Sequence, residues 1–263
     1  MVREKITLEV AGVPFSVAAA WLPSDFYNFQ SDSRPKFSIN TLPGERAISV
    51  EDDDFDVDFF EEDRKVYYFV KGRPDEVLGY FSRKDKQALF FHSDEKTTRL
   101  CFSPFIRSVL QLNLFGHHGF IMHACAVADG DKGFLFIGPS GAGKSTVANM
   151  STEKKVLSDE FVCVRKIKDE YFLYSTPWRG EMVNGMRLTG IYFLKKAKEF
   201  KLEEVGAAEA LQSIMPNILH SYYDGEIMGK ILGMLKDLTK NIFCRNMHFA
   251  LDSKIWEGLS VAA

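Results

Sequence analysis

Residues 138–145 read Gly-Pro-Ser-Gly-Ala-Gly-Lys-Ser, with Gly138, Gly143, Lys144 and Ser145 at every fixed position of the G-x-x-x-x-G-K-[ST] spacing. Glycine lets a backbone curl until several N–H groups point into one concavity, which can hold a phosphate chain. A helix opening at the end of such a loop adds the positive end of its dipole. Pro139, Ser140, Gly141 and Ala142 form the body of the loop, and Thr146 follows it. In such a loop Lys144 reaches the terminal phosphates and the Ser145 hydroxyl holds Mg²⁺. Chance gives this match in about one chain of this length in a hundred. The flanks sharpen it, because residues 134–137 are an apolar run of buried-strand type and residues 146–150 suit a helix opening.

Other groups could complete a site. Asp159 and Glu160 follow Val156 and Leu157 a short way beyond the loop. Phosphoryl transfer depends on positioning, metal charge and an acceptor for one proton, which a carboxylate pair supplies. The same pair elsewhere reads as surface charge. His123 lies in an apolar run and is either a catalytic group or a satisfied structural histidine. His117 and His118, with His123 as a third, suggest a metal, but they lack a nearby acid or cysteine and otherwise read as a loop pair. In residues 176–181, Thr-Pro-Trp-Arg-Gly-Glu, a strand ends at proline with Arg179 and Glu181 around a glycine. That suits a phosphate-facing loop or exposed loop charges.

These groups need elements to hold them. Residues 1–98 read as short antiparallel strands: residues 6–10 alternate, residues 66–70 are β-branched and aromatic, and residues 78–81 and 88–91 repeat the pattern. The acidic run at residues 52–63 lacks the glycine of a calcium loop, since Val57 stands at its sixth position, and its alternation describes a strand with one acidic face. Residues 93–103 read as a junction and residues 105–114 as a helix ending at Gly116. Strands are expected at 120–127, at 134–137 before the loop, around 156–157 and 161–164, and at 171–174 and 190–194. Helices are expected at 207–219 and 226–238, and a last strand at 242–251.

Composition sets the bounds. The chain has 263 residues, 46% hydrophobic and 26% charged, enough for one large domain or two modest ones with real cores. A net charge of −3 gives no general attraction to nucleic acid or an anionic membrane. No apolar stretch reaches the length of a spanning helix or a signal core, and a cytoplasmic protein is expected. Cys101, Cys125, Cys163 and Cys244 are scattered without a C-x-x-C pair, as buried free thiols would be.

The order of His123, the glycine loop and Leu-Ser-Asp-Glu-Phe-Val at residues 157–162 resembles the catalytic domain of HPr kinase/phosphorylase. It is also similar to the smaller HPr-kinase-like proteins of peptide-modification systems. The likeness covers roughly residues 100–250. It implies an α/β fold, an HPr-kinase/PEP-carboxykinase-like P-loop domain with a mixed sheet at residues 99–263, preceded by a small β-rich accessory domain at residues 1–98. It implies that residues 138–143 cradle the β-phosphate, that Lys144 neutralises developing charge and that Ser145 and Asp159 meet Mg²⁺. Asp159 and Glu160 take the place of the family's two aspartates, which bind metal and take the acceptor's proton, and His123 stands beside them. Arg179 and Glu181 fall in a region comparable to one where the family carries a Glu and an Arg-Gly pair serving metal and catalysis, although the local order here differs. The family's Glu-Ile-Arg-Gly-Leu-Gly stretch is not intact here, and its phosphorolysis segment has no counterpart.

The expected activity is ATP/Mg²⁺-dependent transfer of a γ-phosphate to a hydroxyl of a peptide, protein or small molecule, with no nucleic-acid or membrane partner. A homo-oligomer is left open. The alternative is a nucleotide-binding regulator or scaffold without transfer. An NTPase coupled to motion ranks last, because no water-positioning or arginine-finger pattern can be assigned.

Overall fold

In the computed structural model the described residues are 4–44, 57–92, 95–178, 183, 185–219, 224–250 and 255–261. The chain divides into two compact units, Met1–Gly116 with His220–Asp224, and His117–Leu219 with Gly225–Ala263.

The first unit is built on a seven-stranded sheet. Its strands are β1 (Glu4–Val10), β2 (Val13–Ala19), β3 (Phe37–Pro43), β4 (Val57–Glu62), β5 (Lys65–Val70), β6 (Arg73–Ser82) and β7 (Gln87–His92), in the order β1-β2-β3-β7-β6-β5-β4. Alternation along β5 and β7 buries Val66, Tyr68, Val70, Ala88 and Phe90 on one face. Helix α1 (Glu95–Phe115) covers that face, with the Phe105 ring 5.1 Å from Tyr68 and 5.3 Å from Phe90. The sheet is mixed rather than antiparallel throughout, since β2–β3 and β3–β7 run parallel. Residues 20–36 are long enough to return the chain to the end from which β2 started.

Two expectations change here. Residues 95–103, read as part of a junction, belong to α1, which runs through Pro104. Burying Cys101, Phe102, Phe105 and Ile106 outweighs the one helical hydrogen bond that proline removes. The helix goes with the first sheet, so the change of unit falls at Gly116 rather than at residue 98. The acidic run forms a strand from Val57 on, with Phe59 edge-on to Tyr68 at 5.3 Å; residues 52–56 lie outside the described residues.

The second unit carries a nine-stranded mixed sheet. In chain order come β8 (Gly119–His123), β9 (Cys125–Asp129), β10 (Lys132–Ile137), α2 (Lys144–Asn149), β11 (Lys155–Ser158), β12 (Phe161–Ile167), β13 (Glu170–Tyr174), β14 (Met186–Lys196), β15 (Lys201–Glu204), α3 (Ala207–Ile214), α4 (Gly225–Asn241), β16 (Phe243–Phe249) and α5 (Ile255–Val261). The order is β11-β9-β10-β14-β13-β12-β8, with β16 added to β14 and β15 to β16. The pairs β10–β14 and β14–β16 are parallel. Such interior strands need apolar side chains on both faces, which residues 133–137 and 190–194 provide.

The sheet curls because two ladders share one register. Ser158 of β11 lies opposite Ala126 of β9, and Phe161 of β12 lies opposite His123 of β8. Between them the Ala124 N–H donates to the Glu160 carbonyl at 3.1 Å. From Ser158 on, the segments β8–β9 and β11–β12 therefore continue one antiparallel register as a ribbon across the breaks at Ala124 and Asp159–Glu160, after a bulge between Val156 and Ser158. Its halves join opposite ends of the strand order. Among the described residues no helix is long and apolar enough to cross a membrane. All four cysteines are buried free thiols.

Candidate functional site

The glycine loop joins β10 to α2, the strand–loop–helix setting expected from the sequence. Gly141 has φ +74° and Gly143 φ +113°, a region that L side chains rarely adopt. Gly143 is constrained twice, because a Cβ there would stand 2.7 Å from the Phe249 ring. At Gly141 a Cβ would meet open space. The turn is held by Ala142 N–H donating to Pro139 O at 3.1 Å, and the helix opens with Val147 N–H donating to Gly143 O at 2.9 Å. Beneath the loop lie Val147, Phe136, Phe249 and Leu259, one apolar cluster built by β10, α2, β16 and α5.

Lys144 points back into the loop, 7% exposed, with Nζ donating to Gly138 O at 2.8 Å and Pro139 O at 3.2 Å. Burial pulls its pKa below the ordinary 10.5, and the neighbouring Cys125 thiol acts in the opposite sense. Ser140, Gly141 and Ser145 are exposed at the loop surface, while Gly138 and Ala142 are buried behind it.

The broken ribbon brings in the second half of the site. Register places Asp159 opposite Cys125, and residues directly opposite in an antiparallel pair share a face. His123 and Phe161 form the next such pair, with ring centres 5.8 Å apart. The Cys125 thiol reports the neighbourhood electrostatically: its pKa is pushed up to about 12, chiefly by burial and also by the Asp159 carboxylate, with Lys144 opposing. Asp159 is half-buried, and its carboxylate has no hydrogen-bond or ion-pair partner among the described residues.

One cleft of about 320 Å³ is lined by His123, Ser140, Gly141, Gly143, Lys144, Ser145, Thr146, Asp159 and Glu160. The residues read from the sequence as loop, carboxylate pair and histidine thus converge on one space. The Ser145 hydroxyl and two carboxylates make it an all-oxygen donor set. Such donors suit a hard cation like Mg²⁺, which takes one or two carboxylates and completes its shell with phosphate and water. His117 and His118 lie before the opposite end of β8 from His123, and the main-chain carbonyl of each accepts a hydrogen bond from β12, His117 O from Arg165 Nε and His118 O from Lys166 N–H. Among the described residues no group of three or more His, Cys, Asp or Glu side chains could hold a metal. Arg179 and Glu181 lie outside the described residues.

Two participants were missed. Cys125 lies within electrostatic reach of both Lys144 and Asp159, which a cysteine in an apolar run does not announce. Ser158 is fully buried, and its Oγ accepts the N–H groups of Glu160 and Phe161, each at 3.1 Å. The signal for it was available, since a serine just before an acidic pair is a common turn-former.

No family model and no curated protein matches the chain. Among solved structures, an HPr(Ser) kinase/phosphatase from Coxiella burnetii aligns with 54% of this chain and 91% of its own, at 12% identity and a TM-score of 0.29. A superposition that loose assigns no residue here, and the site rests on its own geometry.

Proposed function

We propose that this chain is an ATP- and Mg²⁺-dependent phosphotransferase of the HPr-kinase-like type, acting on a hydroxyl of a peptide, protein or small molecule. The observation that carries the reading is the convergence of the glycine loop, Lys144 and the Asp159–Glu160 pair on one cleft. A phosphate loop alone would bind a nucleotide; carboxylates facing it supply what transfer adds.

In this reading the loop amides and Thr146 hold the phosphate chain, and Lys144 exchanges the carbonyls of Gly138 and Pro139 for phosphate oxygens. Ser145 and one carboxylate of the pair offer oxygens to Mg²⁺. When bound, the cation offsets charge on the phosphate oxygens. The other carboxylate takes the acceptor hydroxyl's proton as that oxygen bonds the terminal phosphorus, the bond to the bridging oxygen breaks and ADP leaves. His123, on the cleft wall beside Phe161, orients the acceptor or the carboxylates.

The test is transfer of labelled γ-phosphate from ATP with Mg²⁺ to a panel of hydroxyl-bearing peptides and metabolites, with Lys144→Ala as control. Label appearing with wild type and falling at least a hundredfold in the control is the expected result. Tight ATP binding with no product and no hydrolysis would favour a nucleotide-binding regulator instead.

A further inference from the structure

We infer that Ser158 is a positioning residue for the carboxylate pair, with Thr176 as its counterpart across the sheet, an inference that rests on the phosphotransferase reading. The backbone carrying Asp159 and Glu160 leaves the regular ladder at the point where it enters the cleft. A buried break of this kind strands amides and carbonyls unless other groups take them up.

Four of these groups have named partners. The N–H groups of Glu160 and Phe161 both donate to Ser158 Oγ. The Glu160 carbonyl accepts from Ala124 N–H at 3.1 Å, and the Phe161 carbonyl accepts from Thr176 Oγ1 at 2.7 Å. Ser158 and Thr176 are 0% and 1% exposed, so neither hydroxyl has bulk water as an alternative partner. Two buried hydroxyls thus fix three of these four main-chain groups. The Asp159 carboxylate is carried on this backbone, so its position depends on how the turn is held. Alanine at 158 would let the turn relax into the ladder or admit water, moving the carboxylates without touching the glycine loop.

The consequence is selective. Misplacing a reacting group by about 1 Å can cost up to about a hundredfold in rate, whereas the phosphate loop is held by separate bonds. Ser158→Ala and Thr176→Val are each expected to lower kcat by about 10- to 100-fold while KM for MgATP stays within about twofold. Ser158→Thr, which keeps the hydroxyl, is expected to recover most of the lost kcat.

The experiment measures kcat and KM for MgATP in wild type and these three variants, with thermal unfolding of each as a check on folding. A fall in kcat at constant KM, rescued by Ser158→Thr, supports the role. Variants within twofold of wild-type kcat would overturn it and leave the phosphotransferase reading standing. Equal losses in Ser158→Ala and Ser158→Thr would also overturn it, because volume rather than the hydroxyl would then matter. Should Ser158→Ala fail to fold, Thr176→Val, close to isosteric, decides alone. A wild-type chain that transfers no phosphate removes the underlying reading, and this role with it.

Discussion

Lys144 and Gly143 show how a few side chains carry both the geometry and its cost. Lys144 is stripped of water, which favours its neutral form more than in an unfolded chain, although the two carbonyls it donates to act the other way. The sign follows from proton counting: between its lowered folded pKa and the ordinary 10.5, the unfolded chain binds more protons, so this lysine makes stability rise with pH. Lys144→Met should abolish transfer without lowering the melting temperature near neutral pH, which thermal unfolding will show. A fall of more than about 2 °C would mean that the ammonium stabilises the loop. Gly143 carries the opposite kind of constraint. Gly143→Ala forces a side chain both into a φ of +113° and against Phe249, and should cost about 1–3 kcal/mol in chemical denaturation and weaken nucleotide binding. Gly141→Ala meets only the conformational cost, about 1 kcal/mol. Equal losses at the two sites would show that the Phe249 contact is immaterial.

At the scale of elements, what the sequence made legible follows the strength of local pattern. The strand before the loop, the strands holding Val162 and Leu173 and the helix over residues 226–238 were all readable, because burial imposes continuous apolar runs or a helical stripe. Pro104 hid the first two turns of α1, since a proline normally marks a boundary, and only packing against the first sheet overrides it. β15 and α5 escaped for another reason: Lys201–Glu204 is a short charged edge, and Ile255–Val261 is too brief to show a period. The convergence at the site was half legible. Order and spacing nominated His123, Asp159 and Glu160, but their meeting depends on a register continuing across two strand breaks, which no local pattern encodes. Packing between elements is testable away from the site. Tyr171 of β13 reaches Asp237 of α4 at 2.6 Å, and Lys166 joins the same carboxylate at 2.7 Å, which holds Asp237 below the ordinary carboxylate range. Tyr171→Phe should cost about 1–2 kcal/mol of stability by denaturant unfolding; no loss would mean that water replaces the hydroxyl at no cost.

For the whole molecule, the buried thiols contribute to the response to alkali. Burial raises the pKa of Cys125, Cys163 and Cys244 to about 12, against an ordinary value of 9.0. Between pH 9 and 12 the unfolded chain loses these protons and the folded chain keeps them, so stability falls as pH rises, by up to about 1.4 kcal/mol per unit for each thiol. Lys144 acts in the opposite direction, and the phenols of Tyr171, Tyr174 and Tyr192, whose pKa values burial also raises, add to the fall. Unfolding free energy should therefore drop above pH 9, and Cys163→Ala should flatten the slope; an unchanged slope would mean that the thiol is not the source. Function at this scale depends on whether the carboxylates do more than line a nucleotide site. The most direct measurement is Asp159→Asn in parallel MgATP-binding and phosphate-transfer assays. The expected result is ATP affinity within about threefold of wild type and transfer reduced by at least about two orders of magnitude, in keeping with loss of a proton acceptor. Transfer at the wild-type rate would contradict a catalytic role for the pair and leave the cleft as a place where nucleotide is bound and nothing more.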